Sequence, residues 1–251
     1  MRNLALIFTC AWLLQAGCDN SKQAQQVQTQ TETVADPAPA EPAVADSEVA
    51  AVNADVADSN EEHTKKKNWI SLFDKKSLNG WEAIEFGGEG EVEIVEGTIR
   101  MLAGDPLTGI RVTEDVKLPK ANYEISFDAM KEDGVDFFAA ITFPVNDTFC
   151  TFVIGGWGGT LVGLSNLDGQ DASENDTKLR KKFEPSQWYS IRIQVLPDRI
   201  TAWIDDEKLV DQSIEGVEVS IRNDVISTTP LGITNFITSS RLREIKIRDL
   251  E

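Results

Sequence analysis

The stretch Tyr123-Glu124-Ile125-Ser126-Phe127-Asp128-Ala129 alternates apolar and polar residues without a break. A second stretch, Tyr189-Ser190-Ile191-Arg192-Ile193-Gln194-Val195, does the same. Successive side chains of an extended chain point to opposite faces, so a period of two sends one set to a core and the other to solvent. An amphipathic helix needs apolar residues three and four apart, and no window of adequate length shows that spacing. Ile200, Ala202 and Ile204 continue the pattern, and Ile245 and Ile247 alternate with Lys246 and Arg248 near the end. Turn chemistry separates the runs at Gly87-Gly88, Glu96-Gly97, Asp133-Gly134, Pro197-Asp198 and Asp205-Asp206. Many short strands divided this way predict an all-β sandwich or barrel.

A jelly-roll β-sandwich of the concanavalin A or laminin G type is the form expected over residues 68–251, a length suited to one domain with a real core. Residues 187–196 and 199–204 read as a long hairpin turning at Pro197-Asp198. Every tryptophan except Trp12, and both tyrosines, fall in this domain. Residues 18–67 differ sharply. From Asp19 to about Asn60 there is no aromatic residue, and Lys22 is the only base against ten carboxylates up to Glu62. Such a composition cannot bury enough apolar surface to offset the entropy of ordering, so a disordered acidic tether is expected, with a span of roughly 40 Å. Lys65-Lys66-Lys67 closes it, and it holds His63, the only histidine.

Residues 1–17 read as an export signal: Arg2 precedes an apolar run over 4–14, and Gln15-Ala16-Gly17-Cys18 follows. The run is shorter than the ~20 apolar residues of a membrane span. The layout resembles a bacterial lipobox, with Gln15 where Leu is usual. That resemblance implies lipidation of Cys18 and a membrane-anchored protein facing the periplasm or the cell surface. An ordinary signal peptide with an incidental Cys18 is the plainer alternative.

The net charge of -18 argues against nucleic acid, which needs a basic face. Cys10 falls in the signal and Cys18 at its end, leaving Cys150 alone in an apolar run as a buried small hydrophobe. Gly-x-Ser-x-Gly, phosphate-binding loops and Cys-x-x-Cys pairs are absent. Two segments carry chemistry. In Gly155-Gly156-Trp157-Gly158-Gly159, four glycines uncover one indole and let backbone approach a ligand closely. An exposed indole beside carboxylates and amides suits the apolar face and polar rim of a sugar. Equally, Trp157 could cap the core from a glycine-rich hairpin. The loop Asn166-Leu167-Asp168-Gly169-Gln170-Asp171-Ala172-Ser173-Glu174-Asn175-Asp176 offers oxygen ligands at short spacing. A divalent cation, Ca²⁺ or Mn²⁺, on Asp168, Asp171 and Asp176 is one expectation, and an ordinary solvated turn the other. Asn166, Trp157 and Trp203 are the expected sugar-binding residues. Trp203, opposite in phase to Ile204, faces either a ligand or a second packing layer.

Trp69-Ile70-Ser71-Leu72-Phe73-Asp74, then Ser77-Leu78-Asn79-Gly80-Trp81, is similar to the opening of the 3-keto-disaccharide hydrolase family, which is also described as 3-keto-glucoside lyases and 3-keto-2-hydroxyglucal hydratases. Trp188-Tyr189 and residues 199–205 and 242–250 look like that family's last strands, so the resemblance spans residues 69–250. Phe73, Leu78 and Trp81 would anchor the first strand on the core. The resemblance implies a carbohydrate partner and chemistry on 3-keto-glycosides. A carboxylate among Asp168, Asp171 and Glu174 would remove the acidic C2 proton, a cation would steady the enolate, and water addition would complete hydrolysis. The middle departs from the family. Residues 131–136 follow Met130 with no Gly-Asn-Ser-Gly, and the domain has no histidine, excluding a His base. A non-catalytic sandwich that binds carbohydrate or protein is the alternative. Oligomeric state is not legible.

Overall fold

The computed structural model describes residues 68–250. The expected export signal, Cys18 and the acidic tether with His63 lie outside the described residues. Along the chain the strands are β1 (Ile70–Ser71), β2 (Trp81–Ala83), β3 (Val92–Val95), β4 (Thr98–Met101), β5 (Leu107–Val112), β6 (Tyr123–Gly134) and β7 (Ala139–Val145). There follow β8 (Thr148–Gly155), β9 (Leu161–Ser165), β10 (Leu179–Arg180), β11 (Trp188–Leu196), β12 (Arg199–Ile204), β13 (Glu207–Ser213), β14 (Gly232–Phe236) and β15 (Thr238–Asp249).

They form two antiparallel sheets. The first has the order β13-β12-β11-β6-β15-β4-β3, with β1 also paired to β15; the second has the order β10-β9-β8-β7-β14-β5-β2. The chain alternates between sheets through β4, β5, β6 and β7, and again through β13, β14 and β15. Those crossings make the jelly roll. Strands β11 and β12 form the predicted hairpin, with Leu196 opposite Arg199 and Pro197-Asp198 at the turn.

The period-two residues fill the core as expected. Tyr123, Ile125, Phe127 and Ala129 of β6 and Ile191, Ile193 and Val195 of β11 pack in one cluster with Ile141, Phe143, Cys150, Phe152 and Ile154. Phe73 and Trp81 are buried in it, and the Trp81 indole Nε1 donates to the Leu72 carbonyl at 2.7 Å. Cys150 has no exposed surface, and burial pushes its thiol pKa up to about 12.

Solvent does not take every alternate position of the first sheet. Glu124 is fully buried on its outer face, accepting from Arg192 Nη1 at 3.2 Å, Gln194 Nε2 at 3.1 Å and Arg248 Nε at 2.6 Å. The Arg192 guanidinium lies 3.5 Å from the centroid of the Trp203 ring, and that of Arg248 4.4 Å from the Trp69 ring. Arginine stems and indoles thus roof this face while their charges stay paired. Trp203 belongs to this second layer, in the sheet that does not bear the cavity described below. Of the two expectations for it, a ligand face and a packing layer, the structure places Trp203 in packing contact with Arg192 and away from that cavity's lining.

Candidate functional site

On β7 and β8 the pair Ile141–Phe152 faces the core, so the neighbouring pair Ala140–Val153 faces away from it. These two join Leu161, Ala172 and Phe137 in a separate apolar cluster on the outer face of the second sheet. Beside that cluster opens a cavity of about 250 Å³, its apolar lining including Leu107, Ala140, Val153 and Phe236. Asp136, Trp157, Asp171, Arg222 and Asp224 supply its polar and aromatic rim. An apolar lining with a few convergent polar groups is the usual make-up of a small-molecule site, and the volume lies just below the ~300–1,000 Å³ typical of drug-sized ligands.

Besides the β6–β7 loop, which carries Asp136, three loops build the rim. The first is the glycine-rich turn between β8 and β9. Gly155, Trp157, Gly158 and Gly159 all take positive φ, at 81°, 46°, 86° and 90°. Glycine adopts that region freely, whereas Trp157 does so against its side chain. The indole stays 39% exposed, so it lines the cavity and does not cap the core.

The second loop is the acidic one. Its hub is Asn175, buried, whose Nδ2 reaches the carbonyls of Leu164 at 2.8 Å, Gln170 at 3.1 Å and Asp171 at 2.9 Å. The Asn175 Oδ1 accepts from the Thr177 amide at 3.0 Å. Ala172 and Leu167 are buried beneath it. Asp171 Oδ1 accepts from the Ser173 amide and hydroxyl at 2.7 and 2.6 Å.

The third is the segment before β14. It runs beside the acidic loop: the Asn166 amide donates to Ser220 O at 2.7 Å, and the Asp168 amide to Glu218 O at 2.8 Å. That pairing delivers Arg222, whose Nη1 lies 3.2 Å from Asp171 Oδ2. Its Nε and Nη2 meet Asp224 at 3.1 Å. Asp224 chiefly, with a weaker contribution from Asp171, raises the guanidinium pKa further above its already high value.

Of the residues expected from the sequence, the structure brings Trp157 and Asp171 to the cavity. Asp168 is not among its lining; its Oδ1 accepts from the Glu218 amide at 2.9 Å. Glu174 and Asp176 are exposed and likewise line no part of it. Asn166 pairs with Ser220, and its Oδ1 accepts from Ser165 Oγ at 2.6 Å. Asp168, Asp171 and Asp176 do not fit a shared cation. No cluster of three or more His, Cys, Asp or Glu suited to a metal occurs among the described residues, and Asp171 already faces a guanidinium. The sequence reading missed Asp136, Arg222 and Asp224. Arg222 carried one signal: it is the only base between Lys208 and Arg241.

Residues 68–248 match the model of a family described as a 3-keto-alpha-glucoside-1,2-lyase-like domain. Comparison with curated sequences returns no significant match. Among solved structures, the chain is similar to a protein provisionally assigned as a glycosyl hydrolase from Parabacteroides distasonis ATCC 8503, at 17% identity and a TM-score of 0.47, covering 73% of this chain and 95% of that one. It is also similar to the carbohydrate-binding module CBM66 from Bacillus subtilis, at 12% identity and a TM-score of 0.46, covering 68% and 96%. A third likeness is to domain 4 of AbnA, a GH43 extracellular arabinanase from Geobacillus stearothermophilus, solved with arabinotriose, at 12% identity and a TM-score of 0.47, covering 74% and 93%.

Proposed function

The chain belongs to the 3-keto-alpha-glucoside-1,2-lyase-like family, and from that premise we propose that the cavity binds a 3-keto-glycoside and eliminates its C1 substituent. The observation that supports this reading most is the meeting of Trp157, Asp171 and Arg222 around one cavity. The indole and the apolar lining suit the C–H face of a sugar ring. Asp171 is the base that takes the C2 proton. The electrons move to O3 as an enolate; when the C3 carbonyl reforms, a C1=C2 bond appears and the C1–O bond breaks. The proton leaves with the aglycone, and water adding at C1 turns elimination into net hydrolysis.

Arg222 stabilises the enolate oxygen. A guanidinium has five N–H groups, and Asp171 and Asp224 leave one on each Nη unengaged. A fixed cation at the developing charge is commonly the largest catalytic term. The step needs no metal on the acidic loop, since the positive charge is a side chain.

One observation favours a second reading, carbohydrate binding without turnover. All three rim carboxylates have partners already: Asp136 on backbone amides, Asp171 on Ser173 and Arg222, Asp224 on Arg222. Incubating the full chain with 3-keto-glucosides, while following the ketone and the released aglycone, separates the two. Aglycone release by the wild type and its loss in Asp171→Asn supports the lyase. Saturable binding with no release supports the binding module.

From the sequence we also propose export and lipidation at Cys18. Labelled palmitate should enter the wild-type protein in cells and be absent from Cys18→Ser; equal labelling of both would overturn this.

A further inference from the structure

We infer that Asp136 is a positioning residue, whose carboxylate holds the Trp157 indole over the cavity. The inference rests on the carbohydrate reading of that cavity. In the turn after β8, two successive amides point the same way, as left-handed backbone makes them do. The Trp157 N–H donates to Asp136 Oδ1 at 3.1 Å and the Gly158 N–H to Asp136 Oδ2 at 3.0 Å. Consecutive amides of this kind form a nest for an anion, and here the anion is a side chain from another loop. The bonds are charge-assisted and offset the cost of placing a non-glycine residue at a φ of 46°.

Asp136 is itself held on both sides. Its amide donates to Thr238 Oγ1 at 3.1 Å, and that hydroxyl donates to the Asp136 carbonyl at 3.1 Å. Thr238 is fully buried at the start of β15. Asp136 also precedes Phe137, whose ring lies 5.6 Å from that of Phe236 in the cavity lining. One carboxylate therefore ties the indole turn to the loop that carries the aromatic lining. Gly156 lets the turn pack closely on the sheet: a Cβ there would lie 2.9 Å from Val153 Cγ1.

The test uses the full chain labelled with 5-fluorotryptophan, the Trp157 resonance being assigned by its loss in Trp157→Phe. In Asp136→Asn one amide N–H must face an NH₂ group, and the charge is gone. The Trp157 resonance should then shift while those of Trp69, Trp81, Trp188 and Trp203 hold. Half-saturation by a methyl 3-keto-glucoside should need on the order of tenfold more sugar, about the loss of one net charged hydrogen bond. Asp136→Glu should restore part of both. An unmoved Trp157 resonance in Asp136→Asn overturns the inference, including when affinity falls, because Asp136 would then act on the sugar directly. If the sugar perturbs no resonance of the wild type, the carbohydrate reading fails, and the Trp157 line in Asp136→Asn still decides the positioning role. Should that variant not fold, hydrogen exchange on the wild type decides it. Slowed exchange at the Trp157 and Gly158 amides is expected, and exchange at the rate of free exposed amides overturns it.

Discussion

Glu124 shows what one residue does to the outer face of the first sheet. Its carboxylate is fully buried between Arg192 and Arg248. Glu124→Gln would leave two guanidinium groups facing an amide that donates as well as accepts. Breaking a buried ion pair costs about 3–5 kcal/mol, so a loss of about 3 kcal/mol is predicted, read as a lower urea midpoint. Cys150 gives the pH dependence. Burial raises its thiol pKa to about 12, above the ~8.5 of an unfolded chain. The raised value means its contribution is complete below about pH 8.5 and is lost as pH rises towards 12. Native protein at pH 8 should therefore resist a thiol reagent that titrates one cysteine more after unfolding. Cys150 and the alternating residues of β6 were legible in the sequence because burial follows directly from an apolar neighbourhood and a period of two. Glu124 was not, because its burial depends on arginines and indoles that only strand pairing sets beside it.

Among the elements, the acidic loop departs most from its sequence reading. Its spacing of oxygens was visible, but spacing does not say where each carboxylate points. Asn175 determines that, by gathering the Leu164, Gln170 and Asp171 carbonyls under one amide. Asn175→Ala would remove the side-chain bonds to these carbonyls and to the buried Thr177 amide, and cost about 1–3 kcal/mol. It should also displace Asp171, so the variant is predicted to lose sugar affinity at temperatures where it remains folded, measured by titration beside a melting curve. The glycine-rich turn was legible as backbone that passes through successive positive φ values, but whether its indole would face a ligand or cap the core was not. Its partner Asp136 gave no signal, because it lies on another loop. Arg222 and Asp224 escaped for the same reason: the pairing of residues 166–168 with 218–220 is a tertiary fact.

At the scale of the whole molecule, the two sheets differ in what covers them. The outer face of the first is roofed by its own arginine and tryptophan side chains. The second leaves an apolar cavity open at its outer face, with the rim supplied by loops from four places in the chain. That asymmetry puts the site on the second sheet and explains why the motifs of the family resemblance, at residues 69–81 and 188–250, reported the scaffold more clearly than the chemistry. The central claim is that Asp171 and Arg222 act together on a 3-keto-glycoside in this cavity. With Arg222 proposed as the source of positive charge, turnover should survive a strong chelator. The measurement to make is aglycone release from a 3-keto-glucoside by the full chain, with and without chelator, beside Asp171→Asn. The account predicts release that is unchanged by chelation and falls by about 10²-fold or more in Asp171→Asn, the scale of losing a general base. Release abolished by chelation, or undiminished in Asp171→Asn, would contradict it.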